Sequence, residues 1–167
     1  MKRFLSAILL LLLTLTGCQQ KEPIQAPAAF YYPRAEIVYH DPSGVIAPEQ
    51  RETVMLQKNL SKILSLYVSG PESDEYRNPF PAGTQIVELS VADNAVNIAF
   101  SDEFSQLSGI DLTIANACIG QTVFHLTDAS VIKITCPGHS FDGNEVITIT
   151  ADMFSFSDAV EEDTTPN

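Results

Sequence analysis

The chain has 167 residues, 45% of them hydrophobic, with 9 Lys and Arg against 21 Asp and Glu and a formal net charge of −12 at pH 7. So acidic a balance excludes nucleic acid as a partner, because phosphates are bound through basic patches and here the field repels them. Calcium finds no built site either, since no Asp-rich loop at EF-hand spacing occurs.

The N-terminus reads MKRFLSAILLLLLTLTG, with Lys2 and Arg3 ahead of an apolar run from Phe4 to Leu15. That is the layout of a secretory signal peptide, expected over residues 1–17, and the run is shorter than the roughly 20 residues a bilayer crossing needs. Leu15-Thr16-Gly17-Cys18 resembles the bacterial lipobox, which implies cleavage before Cys18 and a diacylglyceryl lipid on its sulfur. No other cofactor is expected. One acyl chain holds a protein on a bilayer marginally, whereas two or more hold it stably. The expected location is therefore the extracytoplasmic face of a Gram-positive cell membrane, with the lipid as anchor. Loss of the leader removes Lys2 and Arg3 and leaves 7 basic residues against 21 acidic ones, a net of −14.

Residues 18–34 are polar and then Pro/Ala-rich, with QQKEPIQAPAAFYYP following Cys18. They read as a tether able to lift a domain about 40 Å off the membrane at the extension of Pro-rich linkers. At the other end, residues 155–167 carry Asp158, Glu161, Glu162 and Asp163 and finish in Thr-Thr-Pro-Asn, an acidic, disordered tail. One compact domain remains, residues 35–154, long enough to bury a core.

Within it, Ala35 to His40 reads as a short strand, and Asp41-Pro42-Ser43-Gly44 as a turn with Pro second and Gly fourth. From about Glu52 the apolar residues Leu56, Leu60, Ile63, Leu64 and Tyr67 fall on a helical stripe, which Gly70 and Pro71 stop. Glu72 to Asn78 is expected to be a solvated connection, and Pro79 and Pro81 bracket a lone Phe80 before the next strand. Val87, Leu89 and Val91 then alternate, as do Val96, Ile98 and Phe100, and Ala92-Asp93-Asn94-Ala95 joins them as a hairpin turn. Ser101-Asp102-Glu103 reads as a helix start stabilised by early acidic residues, not as a catalytic acid pair. A second helix is expected over Ile110–Thr127, burying Leu112, Ala115, Ile119, Val123 and Leu126, with Ile114, Ala117 and Phe124 on its far side. Val131–Cys136 and Glu145–Thr150 read as strands. Leu60, Val91 and Ile119 are expected to share one interior.

Candidates for chemistry are few, and no catalytic residue is assigned. Cys118 and Cys136 read as two buried thiols acting as small hydrophobes, with a disulfide, which export would permit, as the alternative. Adding His125 and His139 gives C-x6-H-x10-C-x2-H, but zinc sites show tighter paired ligands on both sides, and no metal site is expected. His40 stands alone. Ser140 has neither a Gly-x-Ser-x-Gly frame nor a phosphate-cradling loop beside it.

Leu66-Tyr67-Val68-Ser69-Gly70-Pro71, Phe80-Pro81-Ala82-Gly83-Thr84, the Ile86–Val91 strand with its Asp93-Asn94 turn, and VNIAFSDEF over Val96–Phe104 resemble the GerMN domain family of sporulation and spore germination proteins. His125-Leu126-Thr127 and IKITCPG over Ile132–Gly138 extend the likeness, which covers about Ala35 to Thr150. The resemblance implies an α/β (α+β) fold: a two-layer sandwich with two helices packed on one face of a mixed β-sheet, similar to the ring-building domains of the complex joining mother cell and forespore. The family is also similar to tandem pairs of such domains, and this chain has room for one.

The expected function is that of a noncatalytic, membrane-anchored interaction module of the cell envelope. Its docking surface is either the open sheet face (Glu88, Ser90, Asn97, Lys133) or a helix patch (Ile114, Phe124), and its partner an unidentified envelope protein. The alternative is a lipoprotein that binds a small ligand or the cell wall. The oligomeric state is left open.

Overall fold

The computed structural model describes residues 25–36, 44–54 and 59–154. The signal peptide, Cys18, Leu56, the acidic tail and most of the strand expected over Ala35–His40 lie outside the described residues.

The first strands are β1 (Gln25–Pro33) and β2 (Ile46–Val54), an antiparallel pair in which Tyr32 lies opposite Ala47, Phe30 opposite Glu49 and Ala28 opposite Arg51. This corrects the tether: from Gln25 onward the Pro/Ala-rich segment belongs to the fold, with Ala28, Ala29, Phe30 and Tyr32 buried. Its two prolines are tolerated because a two-stranded sheet consists of edges, where a missing N–H breaks no central ladder. The helical stripe read from Glu52 is likewise corrected. Strand pairing with β1 claims residues up to Val54, and the helix α1 spans only Leu60–Val68. It buries Ile63, Leu64, Tyr67 and Val68. Ser69 ends it, and Gly70 follows at φ +107°, a left-handed conformation that favours glycine.

A second sheet has the order β3-β4-β5-β6, with β3 Ile86–Ala92, β4 Ala95–Phe100, β5 Val131–Thr135 and β6 Val146–Thr150. β3 and β4 form the expected hairpin, and Asp93 and Asn94 at φ 49° and 62° supply the turn with two positive dihedrals. β4 and β5 run parallel, so the connection between them needs a crossover, which α2 (Gly109–Leu126) provides. β5 and β6 close antiparallel. The sheet is therefore mixed, and the chain has the α+β architecture of two helices and a mixed sheet, with the β1–β2 pair as an unanticipated addition.

Alternation sorts the side chains. Val96, Ile98, Phe100, Ile132, Ile134 and Ile149 point to the helices and join Leu64, Tyr67, Ala115, Ile119 and Val123 in one cluster, which also holds Ala28, Phe30 and Tyr32 from β1. The Tyr31 N–H donates to Thr122 Oγ1 at 2.9 Å, fixing β1 against α2. Val91 does not share this interior as expected: it is 60% exposed, while Leu60 packs at the margin and Ile119 is buried. β3 is an edge strand, and an irregularity between Ile86 and Glu88 turns Val87 out as well.

The stretch after α1 is more than a solvated connection. The Ala35 N–H donates to Glu75 O and the Arg77 N–H to Pro33 O, so the segment pairs with the end of β1. Phe80, 5% exposed between its two prolines, enters a run of ring contacts from Phe30 through Tyr67, Phe80, Phe100 and Phe104 to Phe141, with centroid separations of 5.5, 5.3, 6.1, 4.4 and 5.7 Å.

The inward face of β2 carries charge. Arg51 and Glu49 are 6% and 8% exposed, and Arg51 Nε donates to Glu49 Oε2 at 2.7 Å. Arg51 Nη2 also donates to Gly70 O at 2.7 Å, and its guanidinium lies 5.2 Å from the Phe30 ring centroid. Glu49 Oε1 accepts the Glu72 and Ser73 N–H groups at 3.0 and 2.8 Å.

Two outcomes are expected in urea denaturation. Ile134→Ala should destabilise by about 2–5 kcal/mol, whereas Val91→Ala should stay within about 0.5 kcal/mol because water already surrounds it. Arg51→Met should cost about 3 kcal/mol and Glu49→Leu about 5, since the latter strands a buried guanidinium together with two backbone N–H groups.

Candidate functional site

The face of the four-stranded sheet turned away from the helices is built by the same alternation that builds the core. Glu88, Ser90 and Ala92 of β3 lie opposite Ala99, Asn97 and Ala95 of β4. Asn97 and Ala99 pair with Lys133 and Thr135 of β5, which pair in turn with Thr148 and Val146 of β6. The side chains are small and mostly uncharged, and Glu88, Ser90, Lys133, Val146 and Thr148 are exposed. Asn97 Nδ2 donates to Ser90 Oγ at 3.3 Å. Glu88, Ser90, Asn97 and Lys133, the four residues expected on the open face, line one shallow depression of about 260 Å³.

The helix patch does not form. Phe124 is half-buried and packs edge-on against Phe154 at 5.9 Å, while Ile114 is half-buried in a separate groove beside Pro33, Arg77 and Leu107. Ten residues apart on α2, they are about 15 Å distant along its axis. A 3-10 turn over Ala151–Phe154 supplies the cover on one side and β1 the cover on the other, which explains a helix apolar on two faces.

The two cysteines are free, buried thiols, so the disulfide alternative is corrected. Cys118 faces the β1 side of α2, near Tyr32 and Tyr67, while Cys136 follows β5 and donates its thiol to Ser101 O at 3.3 Å. Burial pushes Cys118 up to about 12, against the opposing pull of Arg77, and burial also raises Cys136, with Asp102 adding to the effect. Tyr32 and Tyr67 are raised by burial too.

Around Cys136 the structure assembles a corner that sequence spacing missed. Pro137 and Gly138, the latter at φ +80°, form a turn closed by the His139 N–H donating to Cys136 O at 3.0 Å. His139 Nε2 lies 3.5 Å from Asp102 Oδ1, at the start of a 3-10 turn over Asp102–Gln106. The Ser101 hydroxyl donates to Glu103 Oε2 at 2.6 Å and holds that carboxyl below the usual carboxylate range. Donor atoms of Asp102, Cys136 and His139 all lie within 4.8 Å of one another, beside a depression of about 460 Å³ lined also by Ser140 and Glu145. The sequence offered one signal, the tight Cys-Pro-Gly-His spacing; Asp102 lies 34 positions upstream and looked like an ordinary helix-start acid.

A mixed four-stranded sheet with two helices packed on one face defines a small α+β domain. The sporulation and spore germination family, Germane, matches residues 29–139, and the chain belongs to that family. Its fold is similar to the first GerMN domain of the sporulation protein GerM from Bacillus subtilis, at 14% identity over 72% of this chain and 91% of that one, with a TM-score of 0.53. It is also similar to the tandem GerMN domains of that protein, at 15% identity over 81% of this chain, with a TM-score of 0.52; the match spans 48% of the tandem. No curated protein matches the chain.

Burial holds the Cys118 thiol neutral, so it ionises in the unfolded chain before it does in the folded one, and its contribution is complete below the ordinary thiol value of 9.0 and declines as pH rises toward about 12. Thermal melts should show stability falling from about pH 9. In the Cys118→Ala/Cys136→Ala double variant the onset should move up to the ordinary tyrosine value of 10.0, where Tyr32 and Tyr67 take over.

Proposed function

We propose that this chain is a noncatalytic, lipid-anchored interaction module of the cell envelope, held on the extracytoplasmic face by Cys18 and docking another envelope protein through the outer face of its four-stranded sheet. Membership of the sporulation and spore germination family supports a sporulation-associated setting. The observation that carries the docking surface is the run of small polar side chains across all four strands, with Ser90, Asn97, Lys133 and Thr148 on one exposed face. An exposed sheet face with Glu88 and Lys133 as its charged members among the described residues suits shape-matched contact and hydrogen bonding, the makeup of standard-sized interfaces. The mature net charge of −14 favours a partner whose docking surface is neutral or basic.

A photo-crosslinking residue at Thr148 should capture a discrete envelope protein in intact sporulating cells, and the same residue at Lys62, on α1, should not. Combining Ser90→Arg with Lys133→Glu should reduce the Thr148 adduct about tenfold while leaving stability within about 0.5 kcal/mol of the parent. Equal capture from both positions, or an adduct indifferent to the double substitution, would refute the docking face.

A further inference from the structure

We propose that Asp102, Cys136 and His139 form a binding site for a divalent transition metal, with Zn2+ the ion that fits the donor set of one thiolate, one imidazole and one carboxylate. Four observations converge. First, the ligating atoms come from two separate segments, the β4 exit and the β5–β6 connection, yet all lie within 4.8 Å of one another. Tetrahedral zinc with bonds of about 2.0–2.3 Å places its ligands about 3.3–3.6 Å apart. The His139–Asp102 pair, at 3.5 Å, already has that spacing.

Second, the site is adjustable where it needs to be. The side chains of His139 and Asp102 are 41% and 82% exposed, so rotation about their own torsions closes the remaining ångström without disturbing the core. Third, Cys136 is fixed and aimed. The residue is buried at the edge of the core cluster, and its thiol donates to Ser101 O, the residue next to Asp102. The Cys136-Pro137-Gly138-His139 turn, with Pro second and Gly third at positive φ, holds the thiol and the imidazole at its two ends. Fourth, the depression beside the three ligands admits the ion, and Glu145 on its wall leaves the fourth position to a water or to that carboxylate.

Binding replaces the S–H bond of Cys136 with an S–metal bond and releases the thiol proton to solvent. A nucleophilic Cys-His-Asp triad is the competing reading of the same three residues. It requires a thiol activated by an adjacent base, whereas the Cys136 hydrogen goes to a backbone carbonyl and the His139 Nε2 to Asp102.

The test uses the full-length chain in detergent micelles, reduced with a phosphine, with Co2+ as the spectroscopic probe and Zn2+ as competitor. A thiolate-to-cobalt charge-transfer band with visible d–d bands of tetrahedral intensity is expected at one equivalent, bleached by Zn2+. Cys136→Ser should abolish the charge-transfer band, and Cys118→Ser should keep it. His139→Ala and Asp102→Asn, at exposed positions that folding does not need, should each weaken Zn2+ binding beyond the about 10- to 100-fold that loss of a mere supporting group costs. The proposal is overturned if the parent shows no charge-transfer band, if the band survives Cys136→Ser, or if both exposed variants bind Zn2+ like the parent.

Discussion

A guanidinium and a carboxylate buried side by side make the strongest demand in this molecule. Arg51 and Glu49 sit on the inward face of β2, among Phe30 and Tyr32, where an unpaired charge would be heavily penalised. Their mutual bond does not satisfy them alone. Arg51 needs the Gly70 carbonyl, and Glu49 needs the N–H groups of Glu72 and Ser73. All three backbone partners exist only if α1 stops at Val68 and the chain turns back at Gly70. A Cβ at Gly70 would come within 2.8 Å of the Asn78 side chain, so the turn and the strap that follows it are set together. The pair thus couples a small, isolated two-stranded sheet to the end of a helix, and the fold accepts buried charge in return for a unique docking position.

That coupling extends by packing. From Phe30, beneath the Arg51 guanidinium, the ring contacts pass through Tyr67 and Phe80 into the sheet core at Phe100 and Phe104 and end on Phe141, in the loop that also carries His139. Hydrogen bonds pin the same run at its start, with the Tyr32 hydroxyl donating to Tyr67 O at 2.7 Å and the Tyr67 hydroxyl to Tyr31 O at 3.2 Å. Both tyrosines are buried with their polar tips satisfied, which is the condition on which such rings are admitted to a core.

What could be read in advance follows from the same physics. The β3–β4 hairpin was legible because alternation and Asp93-Asn94 turn chemistry agreed, and α2 because its stripe runs five turns without a break. β1 and β2 were not. Pro27 and Pro33 made the first look like linker, and the second hides its inward face behind Glu49 and Arg51, so its hydrophobic period is inverted. Only a tertiary partner outside the window makes those positions interior. For the same reason the outer sheet face could be named from its strands, whereas the Phe124 patch could not be dismissed without seeing Phe154 fold back on it. The Asp102 corner needed the β4–β5 parallel register, which no local pattern states.

The edges of the sheet favour the proposed docking by face over strand addition. β3 exposes Val87 and Val91 along an unpaired edge, the arrangement that invites another strand. Yet the irregularity at Ile86/Glu88 breaks the ladder near the start of β3 and disturbs the edge an added strand would follow. At the opposite edge β6 has five residues, and the chain turns immediately into Ala151–Phe154. Phe154 then seats over Gly120 so closely that a Cβ there would lie 2.5 Å from its ring, which fixes the chain leaving that edge against α2. Among the described residues, α2 is covered by β1 and the C-terminal turn, while the outer face of the sheet keeps its regular four-strand register. Its central strands are held from beneath by Ile98, Ile132 and Ile134, all within 2% of complete burial. A partner docking there as proposed would meet hydroxyl, amide and methyl groups with one carboxylate, Glu88, and one ammonium, Lys133, on a well-packed base, and binding would lose little to ordering the domain itself.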